Sequence, residues 1–323
     1  MQFGAYLTGA FGQSQQLYQA RNEAKRGRSS EEAVLKRVAD DTAKIIQLQQ
    51  EADLDNIIDP MFDVFYLFQP FAEQIEKVNV GPQENWFNNN VFYWRPQIEG
   101  SLNLPAGFTE RFIHLSELTK SGKAMVILPS PYTLLMLSDV RGYHNQKEAV
   151  TNLAEVIYAE AALLVSRGIT RIQYDEPVIV IKQSLNSLTG EDLELLRRGI
   201  EVCGKVEGAT TSLHTYFGDA GPIIPFLNSL PVNCIGIDGT ETSLKDILKH
   251  DYSGKELTLG LLDARSTSLE DPVEIAEQLQ MVAERTNPRK LYLTPNAGTE
   301  YRGFTHGINK LNLLKQIRSI LHE

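Results

Sequence analysis

Short apolar runs alternate along this chain with longer segments whose apolar residues recur at helical spacing. Eight runs read as strands: Phe3 to Gly9, Ile57-Ile58, Ala124 to Leu128, Thr170 to Tyr174, Thr210 to Tyr216, Cys234 to Asp238, Leu257 to Asp263 and Leu291 to Thr294. Runs this short, bounded by glycine, proline or an acid, suit strands buried on both faces. Between them lie helical patterns. Ser30 stands where a cap belongs, ahead of Val34, Leu35, Val38, Ile45, Ile46 and Leu48. Others run from about Lys147 to Arg167, stopped by Gly168, from Thr189-Gly190 onward, from Pro272 to Glu284 and from Ile308 to Leu321. The alternation predicts an α/β fold: a single (β/α)8 TIM barrel that takes residues 1–323 as one domain. No internal repeat, low-complexity tract or Gly/Ser/Pro-rich linker divides it.

The pattern breaks over residues 62–105, an insertion rich in aromatics, asparagine and proline. Asn85 to Pro96 holds both tryptophans, Trp86 and Trp94. Such a stretch predicts a hairpin or lid over the barrel mouth. Rings there supply contact area, and amides such as Asn88 fix a ligand's orientation.

The strand endings carry the candidate chemistry. Asp59, Asp175, Glu176, His214, Asp238, Asp263 and Asn296 all fall at or just after the ends of predicted strands. A barrel gathers those ends on one face, where ligands are held. Asp175-Glu176-Pro177 stands out, because proline stops the ladder and leaves two acids where the strand departs the sheet. The pair either caps the next loop or meets a ligand. Three chemistries compete there. His214, Asp238 and Asp175 are donors a divalent metal accepts, although neither cysteine falls at a strand end. His214 with an acid suits proton transfer, or is a satisfied core histidine. Carboxylates with aromatics suit binding an amine and a flat ring without chemistry. Arg21, Lys25, Arg26 and Arg28 form a basic cluster that reads as a solvated helix face or an anion site.

Composition narrows the partners. With 31 basic and 41 acidic residues, the formal charge of -10 offers no electrostatic footprint for nucleic acid or an anionic membrane. The two cysteines, Cys203 and Cys234, imply a reducing compartment. The amino terminus lacks a signal-peptide layout, and the run of apolar residues needed to span a bilayer is not evident. A cytoplasmic protein acting on a small molecule is expected.

Four stretches, in family order, resemble the cobalamin-independent methionine synthase family, most of all its amino-terminal barrel. Asn85-Trp86-Phe87-Asn88-Asn89-Asn90 through Tyr93 is similar to that half's Trp-Phe-Asn/Asp-Thr-Asn-Tyr stretch. Ile172-Gln173-Tyr174-Asp175-Glu176-Pro177 resembles the Gln-Ile-Asp-Glu-Pro strand of both halves. Leu213-His214-Thr215-Tyr216-Phe217 and Gly260-Leu261-Leu262-Asp263-Ala264-Arg265 match two further motifs. The resemblance implies methyl transfer from a methyltetrahydrofolate to the homocysteine thiol. It also implies a zinc ion, which in the family's carboxy-terminal barrel is held by His, two Cys and Glu. On those positions stand His214, Tyr216, Ala297 and, at or near the glutamate, Asp238. Both thiolates are missing, so no tight metal or cofactor is expected unless a separate zinc-bearing barrel brings one. Asp175 matches the acid that grips the homocysteine amino group. The lysine before Trp-Phe is Asn85 and the family's Arg-Glu-Leu-Lys turn reads Gln15-Gln16-Leu17-Tyr18, so the usual contacts to a polyglutamate tail are gone.

The resulting expectation is a component of methyl transfer to homocysteine, a methyltransferase together with that partner barrel. His214 is its catalytic candidate. Asp175, Glu176, Trp86, Asn88, Tyr216, Asp238 and Asn296 are its substrate-binding candidates, for a homocysteine- or methionine-like molecule and a folate or other methyl donor. The alternatives are a catalytically silent binding or regulatory barrel, and a diverged acid–base enzyme using His214 and Asp175.

Overall fold

The structure is a computed structural model that describes residues 2–89, 91–104 and 106–322. Asn90 and Pro105 of the aromatic-rich stretch lie outside the described residues. Eight strands form one sheet: β1 (Phe3–Ala5), β2 (Ile57–Ile58), β3 (Ala124–Pro129), β4 (Arg171–Asp175), β5 (Thr210–His214), β6 (Cys234–Asp238), β7 (Glu256–Leu262) and β8 (Leu291–Pro295). They pair in the order β1-β8-β7-β6-β5-β4-β3-β2, every pair parallel. A parallel bridge between Tyr6 and Asn56 joins the two edges. The sheet therefore curls on itself into an α/β barrel-like fold. Strand β3 is buried at every position, which is why it reads as an unbroken apolar run; β4 is equally buried although Arg171, Gln173 and Asp175 are polar.

Helices cover the outside. Ser30 caps helix Glu31–Glu51 by accepting from the Ala33 N–H at 3.2 Å. Thr189 and Asp192 form a reciprocal capping box at the start of helix Gly190–Cys203. Helix Gln146–Ser166 needs an amendment to the sequence reading, since it is long and apolar enough to cross a membrane. Half of that window is buried inside the fold, including Leu153, Ile157 and Glu160. Its apolar character is that of a core helix.

A helix escaped the pattern, and the hairpin expected in the aromatic-rich stretch gains a third strand. Pro177 does not end structure after β4 but opens helix Pro177–Ser184, since proline is favoured in a helix's first turn, where its missing N–H costs nothing. The segment after β2 carries a separate three-stranded sheet. Val78–Asn85 and Phe92–Glu99 form an antiparallel hairpin, and the latter pairs parallel with Asp139–Arg141. Trp86 packs at ring-centroid distances of 5.7 Å from Phe68 and 5.5 Å from Tyr93, so the hairpin is anchored by aromatic contacts.

The two ends of the barrel differ. At the amino end, buried Arg171 donates to Tyr292 Oη at 3.0 Å, pairs with Glu256 and lies over the Tyr292 ring. That closed network is the stabilising face. The carboxyl ends open into a cleft.

Candidate active site

The cleft has a volume of 870 Å³. Its walls come from the hairpin (Trp86, Tyr93, Trp94), the loop after β2 (Phe65, Tyr66) and one stripe of helix Gln15–Lys25. Its floor is Asp175, Tyr216, Ala297, Gly298, Glu300 and Tyr301, from the ends of β4, β5 and β8. The stripe is Tyr18, Arg21, Asn22 and Lys25, which share a helix face by their spacing. Arg21 and Lys25 thus face the cleft, not only solvent. Arg21 is already held, donating to the Phe62 C=O at 2.6 Å and lying over the Phe65 ring.

Asp175 ends β4 and is buried. Its Oδ1 accepts from Gln173 Nε2 at 2.8 Å, and Tyr216 lines the same floor. Burial disfavours its charge and pushes the carboxyl up to about 7. Glu300 follows β8 in a short 3-10 turn. Its Oε2 is shut off from solvent and has no hydrogen-bond partner. Burial, with the Asp175 carboxylate as a further cause, raises it to about 8. Tyr301 lines the cleft with Glu300 and Trp86, its ring 5.7 Å from that of Phe217. No motif pointed to Glu300 or Tyr301. The only sequence signal was that Asn296 to Arg302 follows a predicted strand end.

The remaining candidates separate into two groups. Trp86 and Tyr216 line the cleft with Asp175. Asn88 does not, because it sits exposed in the hairpin turn with a φ of 59°. Glu176 turns away into the fold. It caps helix Pro177–Ser184, its Oε1 accepting from the Ile179 N–H at 3.0 Å and its Oε2 from the Thr133 N–H at 3.1 Å and the Ser130 hydroxyl. Burial still lifts its carboxyl to about 7.

His214, Asp238 and Asn296 form a lattice of their own beneath the floor. His214 Nε2 donates to the Asn296 C=O at 2.9 Å. Its Nδ1 is buried without a partner, against Gly236, where a side-chain Cβ would come within 2.1 Å. Desolvation pushes the imidazole down to about 4, so it is neutral. Asp238 accepts from Phe217 N–H (2.9 Å), Thr240 N–H (2.9 Å), Thr240 Oγ1 (2.7 Å) and Asn296 Nδ2 (3.1 Å). Asn296 Oδ1 accepts from the Ala264 N–H at 2.9 Å. None of the three lines the cleft.

These contacts decide whether a zinc ion fits. The histidine nitrogens face a carbonyl and a glycine, all the donors around Asp238 are satisfied within the protein, and positions 216 and 297 offer a phenol and a methyl group. Among the described residues no group of three or more His, Cys, Asp or Glu stands together to hold a metal. The residues present do not fit the family's zinc.

Fold and cleft define an α/β barrel-like protein with a cleft of small-molecule size at the carboxyl ends of its strands. The chain belongs to the cobalamin-independent synthase family, whose catalytic-domain model matches residues 5–319. That match is to the catalytic domain, which refines the half-by-half likeness of the motifs. The chain is 24% identical over 326 residues to a 5-methyltetrahydropteroyltriglutamate–homocysteine methyltransferase of Streptomyces griseus, covering 98% of this chain and 42% of that protein. It thus spans under half the length of that relative. A methionine synthase of Sulfurisphaera tokodaii is 22% identical over 320 residues, covering 98% of this chain and 92% of that one. A B12-independent methionine synthase from Shewanella sp. W3-18-1, solved with selenomethionine, has the same fold, with a TM-score of 0.72 at 20% identity, covering 91% of this chain and 90% of that one.

Proposed function

We propose that the chain, as one (β/α)8 domain over residues 1–323, works in methyl transfer to the thiol of homocysteine as methionine is made. The observation that supports this reading best is the buried Asp175 carboxylate, open to an aromatic-walled cleft in a barrel of the synthase family. A buried acid without a cation beside it suits the amino group of an amino acid, which arrives with the missing charge. Gln173 orients that acid, Tyr216 stands in the floor with it, and Trp86 forms part of the wall. A folate or other methyl donor takes the outer cleft between the hairpin and the loop after β2.

In the reaction the thiol loses its proton, a sulfur–methyl bond forms and the donor's bond to that methyl breaks. A zinc ion held by another barrel would supply the Lewis acidity that favours the thiolate. This chain has no fitting ligand set among its described residues, so that activation would come from a separate zinc-bearing barrel. His214, Asp238, Asn296 and Glu176 act as positioning residues: they fix the loops after β4, β5, β6 and β8 that carry the cleft residues. The setting is the cytoplasm, with small molecules and no nucleic acid or membrane.

The test is calorimetric titration of the purified chain with homocysteine and methionine, followed by a transfer assay with a zinc-bearing barrel added. Asp175→Asn should weaken amino-acid binding and slow transfer by at least about tenfold, the loss of one charged contact. Wild-type rates in that variant would remove the basis of the reading.

A further inference from the structure

The loop that walls the outer cleft is held from behind by Asp59 and His114, which the family motifs do not include. It follows β2, and Phe62, Val64, Phe65 and Tyr66 line the cleft from it. Asp59 is buried at its start and uses both oxygens there. Oδ1 accepts from the Met61 N–H at 2.7 Å, and Oδ2 accepts from the His114 N–H at 2.8 Å. Met61 takes a φ of 58°, a left-handed conformation that residues other than glycine rarely adopt. The turn is therefore kept by ties from outside it. The far end has one of its own, since Gln69 Oε1 accepts from the Phe65 N–H at 2.7 Å.

His114 supplies the tie in between. It precedes the short helix Leu115–Leu118, and its half-buried imidazole lies between two acids of the loop. Nδ1 is 3.1 Å from Asp59 Oδ2, and Nε2 is 4.0 Å from Asp63 Oδ2. On its other side Asp63 Oδ1 is 3.5 Å from Arg21 Nη2, which also donates to the Phe62 C=O. A line of charged groups thus runs from the end of β2, through the imidazole and Asp63, to the cleft helix Gln15–Lys25. The charged groups facing the imidazole are Asp59, Asp63 and, from its own helix, Glu117. Arg21 and Arg111 face Asp63. The bond to Asp59 holds the imidazole above its ordinary 6.5, with burial working against it.

A neutral imidazole does not serve both acids. With its one N–H given to Asp59, the Nε2 lone pair points at the Asp63 carboxylate. The imidazolium presents an N–H to each. We propose that His114 is a positioning residue of the cleft wall: charged, it joins Asp59 to Asp63 and holds the loop against helix Gln15–Lys25, and neutral, it releases Asp63 and lets Phe65 and Tyr66 move. It acts through the loop and touches no ligand. The proposal goes beyond methyl transfer and holds whichever small molecule the cleft takes. The held wall belongs to the acid side of the His114 titration and is lost as pH rises through it.

Tyr66 meets Trp94 of the hairpin at a ring-centroid distance of 5.3 Å, so tryptophan emission reports the loop. The experiment follows emission and the imidazole NMR signals of the full chain from about pH 5 to about pH 9, the span in which histidine titrates. The His114 signal, identified by its loss in His114→Gln, should titrate above 6.5, and emission should shift with the same midpoint. Asp175 and Glu300 titrate near Trp86 in both proteins, so the His114 step is read as the difference between them. His114→Gln keeps a donor for Asp59 without the charge, and its Trp94 emission should stay at the wild type's alkaline value throughout. Asp63→Asn keeps the Asp59 bond, and should lower the His114 midpoint and remove the emission step. It decides alone if His114→Gln folds poorly, the His114 signal then being the one whose midpoint it moves. A His114 titration with no emission step, or a step that survives in Asp63→Asn, overturns the proposal. Either result leaves the amino-acid reading of the cleft floor intact.

Discussion

Replacing Glu300 with Gln should stabilise the empty protein at alkaline pH and leave it unchanged in acid. In the unfolded chain this carboxyl ionises near its ordinary value of 4.5, and in the fold it is raised to about 8. Between those values the native state holds more protons than the unfolded state. Stability of the wild type therefore falls as pH rises, by up to about 1.4 kcal/mol per pH unit for this group. The difference between about 8 and 4.5 is about 3.5 units, which sets at most about 5 kcal/mol lost by pH 8 relative to pH 4.5. Asp175 and Glu176, both raised to about 7, add slopes of the same sign. His214, pushed from 6.5 down to about 4, adds the opposite slope between those two values. Glutamine has no proton to lose, so its own share of the slope vanishes. Urea unfolding followed by tryptophan fluorescence, from about pH 4.5 to about pH 8.5, reads this directly. The two proteins should converge at the acid end and separate by about 2–5 kcal/mol at the alkaline end. Parallel curves, or a variant less stable than the wild type at about pH 8, would refute the reasoning.

Glu176→Ala should destabilise the fold by about 3 kcal/mol, because it strands donors on Ser130, Thr133 and Ile179, whereas Asp175→Asn should fold normally and lose ligand; thermal melts beside calorimetry separate the two. Gly236→Ala places a methyl within 2.1 Å of His214 Nδ1 and should cost at least about 2 kcal/mol, read as a lowered Tm; an unchanged Tm means the imidazole has room to move. Protein purified with zinc and then dialysed should carry far less than one zinc per chain by metal analysis. Stoichiometric zinc held by this chain alone would show that the ligand set is wrongly excluded.

The barrel strands were legible because parallel strands buried on both faces leave continuous apolar runs, as in Ala124–Pro129 and Cys234–Asp238. Their shared acidic endings gave the face of the site. Sequence could not tell which of those polar groups look into the cleft. Asp175 does, but Glu176, Asp238, Asn296 and His214 spend their polar atoms on neighbours within the fold or lie buried, and that depends on side-chain direction. Glu300 and Tyr301 lie in an irregular turn that has no period to read, and only the folded chain brings them beside Asp175. Arg21 and Lys25 looked like a solvated face because nothing along the helix reveals what lies opposite.

Gly9 and Gly298 have a consequence for the order of events during folding. Gly9, at a φ of +66°, lies so close to Gly298 that a built Cβ would stand 2.4 Å from its Cα. Beside that contact, the Thr299 N–H donates to the Ala10 C=O at 2.8 Å. These are the first and last loops of the barrel, and their meeting closes one of the longest loops the chain contains. The seat for the ligand includes residues from the second of them. Asp175 and Tyr216 are in the chain well before Ala297, Gly298, Glu300 and Tyr301, so the cleft floor is whole only once the last strand of the barrel has docked against the first.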